Sequence, residues 1–238
     1  MKIIEDAIKR GSKNLSEFAS KQLLSAYGIP VTNEKTATTV EGAVSAANSI
    51  GYPVVLKASG ENLQHKTEFD LIRLDLKDAS QVKLACAGLF EESAVPITEV
   101  LVQQMIKGNR ELLAGLKRDS QFGPCVVFGL GGILAEILED VSIRVAPITP
   151  FDALDMMEDI RGKKILDAFR GKPPVDRNAL TEFLIALGRI GLENDAVSEI
   201  DINPIKLIQG KPVAVDALVV LEKKDVLREV HEKKQSGY

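Results

Sequence analysis

This sequence contains only two cysteines, and it has neither a long hydrophobic run nor a surplus of positive charge. Cys86 and Cys125 lie far apart without metal-ligand spacing, so we interpret them as free thiols and exclude a disulfide framework. The formal net charge of -4 gives no electrostatic footprint for nucleic acid or an anionic membrane. The strongly apolar, uncharged stretch 123–135 contains four glycines and is too short to cross a bilayer.

The N-terminal residues also lack the pattern of a secretion signal. Glu5 and Asp6 interrupt the apolar positions near the start, and no small-residue cleavage site follows, so we expect a cytoplasmic protein. Neither nucleic acid nor a membrane is expected among its partners. With 238 residues, 45% hydrophobic and 27% charged, the composition is that of a folded globular protein near the length at which one core divides into two.

The first half of the chain alternates helices and strands. A helix over 2–10 precedes a second helix with Asn14 as its predicted N-cap, whose apolar stripe consists of positions 15, 18, 19, 23 and 26. Thr38 and Glu41 form a capping-box pattern that opens an alanine-rich helix. The remaining predicted elements of this half are strands over 54–57, 71–76 and 99–106 and a helix that begins at Asp78.

From Arg110 onward, the pattern changes to successive strands joined by short turns, which is typical of an antiparallel meander. One of these strands is predicted over 136–145, and the last hairpin pairs 197–207 with 213–221. The change predicts an α+β fold of two lobes. The first lobe, with the N-terminal helices, is predicted over 1–106 and the second lobe over 107–238. The boundary is approximate, and packing of the N-terminal helices on the second lobe is the alternative.

A buried strand joined to a polar loop is predicted around Lys57. A run as apolar as 54–56 indicates a strand covered on both faces, so the ammonium at its end needs an anionic partner, either a phosphate or a carboxylate. Gly60 gives the next loop backbone freedom, and the loop contains His65, the one histidine before the C-terminal tail. The alternative is a lysine that snorkels from the strand end beside a solvated histidine.

Side chains with oxygen atoms cluster in the last predicted hairpin. Glu199, Asp201 and Asn203 alternate along one strand and therefore share a face. Asp216 is predicted inside the apolar partner strand, where a buried carboxylate must be paired or must coordinate a metal. Carboxylate and amide oxygens suit Mg²⁺ that is held together with a nucleotide. A solvent-facing polar strand, with Asp216 bonded to a neighbouring turn, is the alternative.

A glycine-rich segment over 128–133 is similar to a phosphate-binding loop, but it lacks the Lys-Ser/Thr ending of a P-loop and the spacing of a dinucleotide fingerprint. The favoured interpretation is a bulged turn between strands. Glu136 and Arg144 are predicted on one face of the following strand. They would form either a cross-sheet ion pair or part of a phosphate site.

Together these blocks resemble the ATP-grasp fold, and more closely the ATP-grasp subunit of ADP-forming acetyl-CoA (acyl-CoA) synthetases, relatives of succinyl-CoA synthetase. The resemblance covers nearly the whole chain, and several blocks in the same order are more specific than any single one. The blocks are LSAYGIPV (24–31), YPVVLKASG (52–60), HKTE (65–68), Arg110-Glu111-Leu112, RDSQFG (118–123), 128–136, DVSIRVAPI (140–148), and 199–204 with Asp216.

The resemblance implies two α+β lobes with ATP or ADP between them. Lys57 would hold the phosphates, the backbone at the end of the strand over 99–106 would line the adenine pocket, and Glu111 would reach the nucleotide. The predicted nucleotide-binding residues are Lys57, Ser59, Gly60, Gln103, Gln104, Met105, Ile106 and Glu111.

The resemblance also implies a metal site, a relay residue and a partner. Asn203 and Asp216 would hold Mg²⁺, and Asp201 is a third candidate ligand. His65 would lie on a swinging loop, receive a phosphoryl group from a phosphohistidine on a separate, α-type CoA-binding subunit, and pass it to ADP in a reversible reaction. The chain is thus expected to be the nucleotide-binding subunit of an ADP-forming acyl-CoA synthetase, active in a hetero-oligomer.

The loop after His65 departs from the family pattern. Relatives resemble His-Lys-Ser/Thr-Asp-Val-Gly-Gly-Val, whereas the last four places here are Phe69-Asp70-Leu71-Ile72. Losing both glycines removes backbone freedom and places a carboxylate near an anionic site. Two rival functions therefore stay open: an ATP-grasp carboxylate ligase that uses a free acyl phosphate and does not need His65, and a catalytically silent nucleotide-binding subunit.

Overall fold

The computed structural model describes residues 1–59, 71–92 and 97–222, and these residues form two antiparallel sheets. The smaller sheet has the strand order β1-β4-β2-β3, and the larger one the order β10-β8-β5-β6-β7, with β9 paired to β8. The strands are β1 Glu34–Ala37, β2 Val54–Ser59, β3 Ile72–Leu76, β4 Glu99–Gln104, β5 Glu111–Asp119, β6 Gly123–Leu130, β7 Val141–Val145, β8 Val197–Ile208, β9 Lys211–Ala214 and β10 Leu218–Leu221.

The helices cover one face of each sheet. Helices α3 and α4 pack on the smaller sheet, and α6 and α7 pack on the larger one. Each sheet buries its apolar side chains against its own helices, so the described residues form two separate hydrophobic cores. The helices are α1 Lys2–Arg10, α2 Glu17–Ala26, α3 Val40–Ile50, α4 Ala79–Glu92, α5 Ile133–Leu138, α6 Pro150–Asp159 and α7 Arg177–Glu193, with a short 3₁₀ helix at Lys163–Leu166.

The two N-terminal helices pack with the larger sheet although they precede the smaller sheet in the chain. Ile4 and Ala7 of α1, and Leu23 and Leu24 of α2, all belong to the core of the larger sheet. The chain therefore begins beside β10, builds the smaller sheet, and returns at β5. The division into lobes at residue 106 falls between β4 and β5 and stays a prediction.

Both predicted N-caps are one or two residues away from the real ones. Ser16 rather than Asn14 caps α2, because its Oγ accepts a hydrogen bond from the Ala19 N–H at 3.3 Å. Thr39 rather than Thr38 caps α3, with its Oγ1 3.0 Å from the Gly42 nitrogen. A row of adjacent Ser, Thr and Asn residues offers several possible caps, and only the backbone geometry selects one.

Two predicted strands are wrong in part. The strand over 136–145 is instead the short helix α5 followed by β7, and the strand over 213–221 is divided into β9 and β10. The division leaves Asp216 in the connection between them, with 44% of its side chain exposed, rather than buried in a strand. A short apolar run fits a helix or a strand equally well, which explains the first error.

Among the described residues, α6 and α7 cover one face of the larger sheet, and the opposite face, called here the open face, has exposed side chains. Ile143 and Val145 of β7 and Glu199 and Asp201 of β8 are exposed there, whereas Ile200 and Ile202 point into the core. The open face therefore presents both apolar and acidic side chains beside the smaller sheet.

None of the helices in the described part of the chain has the length and hydropathy of a membrane-spanning segment.

Candidate active site

Lys57 is buried at the boundary between the two sheets and is paired with two carboxylates. It lies on β2, and its Nζ is 2.6 Å from Oε1 of Glu17 and 3.5 Å from Oδ2 of Asp216. The prediction that this ammonium needs an anionic partner is confirmed. Glu17 comes from α2, which packs with the larger sheet, and Asp216 comes from the β9–β10 connection, so Lys57 of the smaller sheet faces groups from the side of the larger sheet.

A second buried lysine, Lys21, lies one helical turn after Glu17. Its Nζ is 3.1 Å from Glu17 Oε1, forms an ion pair with Glu34, and donates to Gln103 Oε1 at 3.1 Å. It also donates to Thr32 Oγ1 at 3.3 Å and to the Val215 carbonyl at 3.0 Å. The network of Lys21, Glu17, Lys57, Glu34 and Asp216, called here the lysine network, thus links α2, β1, β2, β4 and the β9–β10 connection.

The electrostatics of the lysine network favour a charged Lys57. Burial by itself would lower the pKa of Lys57, but the carboxylates of Asp216 and Glu17 outweigh burial and raise that pKa above its ordinary value. Burial raises the pKa of the Glu34 carboxyl, although Lys21 opposes the shift. Lys57 is therefore a positively charged ammonium at neutral pH and can bind an anion.

Asp216 and Asp201 form the exposed acidic side of the site. Asp216 Oδ1 accepts a hydrogen bond from the N–H of Ala217 at 2.9 Å, which fixes its carboxylate in the connection after β9. Asp201 is exposed by area, yet partial desolvation, and next the carboxylates of Glu199 and Asp216, raise its pKa. Crowded carboxylates of this kind are stabilised by a bound divalent cation.

Glu111, Asn203 and the glycine turn meet at a second polar cluster. Asn203 Oδ1 accepts a hydrogen bond from the Gly132 N–H at 2.9 Å, and Glu111 Oε1 lies 3.2 Å from Lys206 Nζ. Gly132 has φ +59°, and the Glu111 carboxylate occupies the place where a Cβ at this position would be. Only Gly131 and Gly132 lie between β6 and α5, so the predicted bulged turn between two strands is wrong. The tight turn instead joins a strand to a helix, and it brings Glu111 close to Asn203.

The end of β4 lies beside the lysine network. The Gln103 side chain is buried and bonded to Lys21, while the backbone N–H groups of Gln104 and Met105 donate to the carbonyls of Asn33 and Pro53. Ile106 follows as a buried residue. Ser59, at the end of β2, donates a hydrogen bond to Glu99 at 2.8 Å.

Arg144 takes part in an ion-pair cluster away from the lysine network. Its Nη2 lies 2.6 Å from carboxylate oxygens of both Asp155 and Asp159 on α6. Glu136 belongs to α5 and not to the strand of Arg144, so the predicted alignment of these two residues is wrong. Arg144 fastens β7 to α6, and this role explains it without a phosphate.

Two predicted site residues, Gly60 and His65, lie outside the described residues. The sequence reasoning also missed Glu17 and Lys21, because an acid and a base four residues apart on a helix usually form a surface pair. The structure buries positions 17, 20, 21, 23 and 24 of α2, of which only position 23 belongs to the predicted apolar stripe. The lysine therefore lies on the same face as Leu24.

The donor set of the open face fits a metal ion only if another ligand completes it. Within the described ranges, no group of three or more His, Cys, Asp or Glu side chains is arranged to hold a metal by itself. Asp201, Asp216 and Asn203 offer hard oxygen atoms, which suit Mg²⁺ coordinated jointly with phosphate oxygens.

The chain is similar to known ATP-grasp proteins over nearly its whole length. A family model described as an ATP-grasp domain matches residues 6–221. The β subunit of ADP-forming acetate–CoA ligase I of Pyrococcus furiosus is 39% identical over 92% of this chain and 96% of its own length. Acetate–CoA ligase (ADP-forming) I of Archaeoglobus fulgidus is 37% identical, but the match spans 92% of this chain and 32% of that longer protein.

A solved structure has the same fold. Acetyl-coenzyme A synthetase 1 of Ca. Korarchaeum cryptofilum, in complex with coenzyme A and Mg-AMPPCP, has a phosphohistidine segment pointing towards its nucleotide-binding site. It superposes with a TM-score of 0.84 at 38% identity, covering 93% of this chain and 99% of that one. This chain therefore belongs to the ATP-grasp family, and within it to the β-subunit group of the ADP-forming acyl-CoA ligases.

Proposed function

We propose that this chain is the nucleotide-binding subunit of an ADP-forming acyl-CoA synthetase, in which a phosphoryl group moves between ATP and a phosphohistidine of a CoA-binding subunit. The observation that carries the proposal is the position of Lys57. It is a buried, charged ammonium at the boundary between the two sheets, facing the half-exposed Asp216. A fixed cation beside solvent-accessible carboxylates suits a nucleotide phosphate and its metal ion.

The nucleotide would lie between the smaller sheet and the open face of the larger sheet. Lys57 would bind non-bridging phosphate oxygens, Ser59 and Gly60 would contact the phosphates, and the backbone of 103–106 would line the adenine pocket. Glu111, held beside Lys206 and the Gly132 turn, would approach the nucleotide from the larger lobe. Phosphoryl transfer depends chiefly on such positioning and charge stabilisation, since the protein has little covalent chemistry to do.

Mg²⁺ would be held by Asp216, Asn203 and Asp201 together with the phosphates. When bound, it neutralises charge on the phosphate oxygens and on the leaving group. Burial, and next the carboxylates of Glu199 and Asp216, raise the pKa of Asp201. A divalent cation would offset the repulsion among these carboxylates, which supports the assignment.

His65 is proposed as the relay residue. A neutral imidazole nitrogen would attack the γ-phosphorus, the bond to the bridging oxygen would break, and ADP would leave. The histidine of the partner would then attack the same phosphorus and release His65 unmodified. Asp70 and Leu71 stand where relatives have glycines, and whether the relay survives this change is the main question that the experiment answers.

A CoA-binding partner subunit is proposed for two reasons. The Pyrococcus furiosus relative is named a subunit, and its match covers nearly the whole of both chains. The Archaeoglobus fulgidus relative is about three times longer than its matching part, which suggests that the remaining functions lie on further domains there. We therefore expect the isolated chain to make no acyl-CoA.

The test is incubation of the chain with γ-labelled ATP and Mg²⁺, followed by measurement of label on the protein. We expect acid-labile, base-stable label in the wild type and in His231→Ala, and none in His65→Ala, which still binds ATP. If His65→Ala supports near-normal turnover in the complex with the partner subunit, phosphoryl passes directly from the partner to ADP. Robust acyl-CoA synthesis by the isolated chain would contradict the need for a partner.

A further inference from the structure

Within the lysine network, Glu17 is the carboxylate that contacts both lysines. A single oxygen, Oε1, lies 2.6 Å from Lys57 Nζ and 3.1 Å from Lys21 Nζ, and only 5% of the Glu17 side chain is exposed. Lys21 is itself fixed by Glu34 and by Gln103. The carboxylate of Glu17 is thus held from behind by one cation while it holds another.

We propose that Glu17 is a positioning residue for nucleotide binding: it holds the Lys57 ammonium at a fixed place between its own carboxylate and that of Asp216. The proposal rests on the function proposed above. Lys57 contacts both Glu17 and the proposed metal ligand Asp216, so Glu17 would act through Lys57 and not on the nucleotide itself.

The reason for such a device is the flexibility of a lysine side chain. Four rotatable bonds allow an unrestrained Lys57 many positions, and the cost of ordering it would oppose nucleotide binding. A charge-assisted hydrogen bond to a buried carboxylate removes most of that freedom before the nucleotide arrives. Without Glu17, the ammonium would move towards Asp216, 3.5 Å away, and compete with a metal ion for that carboxylate.

The Glu17–Lys57 contact also connects the two sheets. Glu17 lies on α2, whose Leu23 and Leu24 are packed in the core of the larger sheet, whereas Lys57 lies on β2 of the smaller sheet. The Glu17–Lys57 contact therefore fixes the phosphate-binding lysine relative to Asp216, which belongs to the other lobe. A buried hydrogen-bonded ion pair is a suitable connection because its geometry is specific.

The test is a double-mutant cycle of Glu17→Gln and Lys57→Met, with the dissociation constant for Mg–ATP measured on the full chain by competition with a fluorescent ATP analogue. We expect Glu17→Gln to weaken binding about fivefold or more in the wild-type background. In the Lys57→Met background, the same change should alter binding by less than about twofold, because the group it positions is gone. A general loss of structure would weaken both backgrounds.

Glu34→Gln is the matched control. It makes the same substitution in the same network, but Glu34 forms its ion pair with Lys21 and its carboxylate has only a small electrostatic effect on Lys57. Nucleotide affinity should therefore change by less than about twofold even if stability falls. Glu17→Asp, a second variant in case Glu17→Gln is poorly folded, should bind with an affinity between those of the wild type and Glu17→Gln.

The outcomes separate this inference from the proposed function. If a folded Glu17→Gln binds Mg–ATP as the wild type does while Lys57→Met does not, the positioning role is wrong and the nucleotide site stands. If Glu17→Gln weakens both backgrounds equally, its role is structural and the inference is also overturned. If the folded wild type binds no nucleotide at all, the proposed function itself fails.

Discussion

Lys21 and Lys57 are both buried and both contact Glu17, but their other partners differ. Lys21 is 1% exposed, and its remaining partners include the buried groups of Glu34 and Gln103. Lys57 has Glu17 on one side and the 44% exposed Asp216 on the other. A cation enclosed by buried partners stabilises the fold, whereas one whose second partner faces solvent is accessible to an incoming anion. Burial alone therefore does not identify a functional lysine.

The largest effect is expected for Lys21→Met. Removing the ammonium leaves Glu34 and Glu17 as buried carboxylates without their shared cation, which typically costs about 3 to 5 kcal/mol of unfolding free energy. Urea unfolding followed by circular dichroism measures the change. Lys9→Met is the control, because that lysine is 75% exposed and should change stability by less than about 0.5 kcal/mol. Equal stability of the Lys21 variant and the wild type would contradict the comparison.

Lys57→Met should affect binding more than folding. Glu17 keeps Lys21 as a partner, so the loss of stability should be smaller than in Lys21→Met. Loss of the phosphate contact should weaken Mg–nucleotide binding at least about tenfold, equivalent to about 1.4 kcal/mol or more. Calorimetric titration with a non-hydrolysable ATP analogue measures it. Unchanged affinity with the fold intact would show that Lys57 belongs to the scaffold, as Lys21 does.

Asp216→Asn sharpens the comparison from the exposed side. Because its side chain is half exposed, stability should change by less than about 1 kcal/mol, while nucleotide affinity should fall about tenfold and depend less on Mg²⁺. Titrations of nucleotide at several Mg²⁺ concentrations test both statements. A variant that keeps the Mg²⁺ dependence of the wild type would remove Asp216 from the metal site.

The smallest effect on stability is expected for substitution of Asp140, a buried carboxylate that is stabilised without a lysine. Burial alone would raise its pKa, but the backbone N–H groups of Gly162 and Arg161, at 2.7 and 2.8 Å, with help from the Arg161 guanidinium, hold the pKa below its usual range. A lowered carboxyl pKa stabilises the fold above the ordinary aspartate pKa, and this contribution is lost as the pH falls through the lowered value.

We therefore expect Asp140→Asn to reduce stability at neutral pH and to flatten the decline of stability in acid, as measured by urea unfolding between neutral pH and about pH 3. Asp6→Asn is the control, because that helical acid is 43% exposed and its contact with the exposed Lys9 is long, at 4.0 Å. Asp155 is not suitable because it lies 2.6 Å from Arg144. A decline in acid as steep in Asp140→Asn as in the wild type would contradict the assignment.

Elements with local chemical signals were predictable from the sequence. The helix predicted to begin at Asp78 is α4, and the apolar run ending at Lys57 is the buried strand β2. The split at Asp216 was not predictable, because one acid in an apolar run fits both a buried partner in a strand and a connection between two strands. The helix α5 is too short for its periodicity to distinguish it from a strand.

The candidate site could be predicted in its types of residue but not in its contacts. The site roles of Lys57, Asn203 and Asp216 stay predictions from the sequence and from the family resemblance, whereas the need of Lys57 for an anion follows from burial alone and is confirmed. Glu17 and Lys21 were missed because their partners Gln103 and Val215 lie 82 and 194 residues from Lys21 in the chain. Contacts of that sequence separation depend on how the two sheets meet, which no local pattern specifies.

The most direct test of the account is a crystal structure of the chain with Mg²⁺ and a non-hydrolysable ATP analogue. We predict that Lys57 Nζ lies about 3 Å from a phosphate oxygen while it still contacts Glu17, and that Lys21 keeps its contacts with Glu34 and Gln103. The proposal that this lysine is the phosphate ligand would be contradicted by a nucleotide bound elsewhere while Lys57 stays between Glu17 and Asp216.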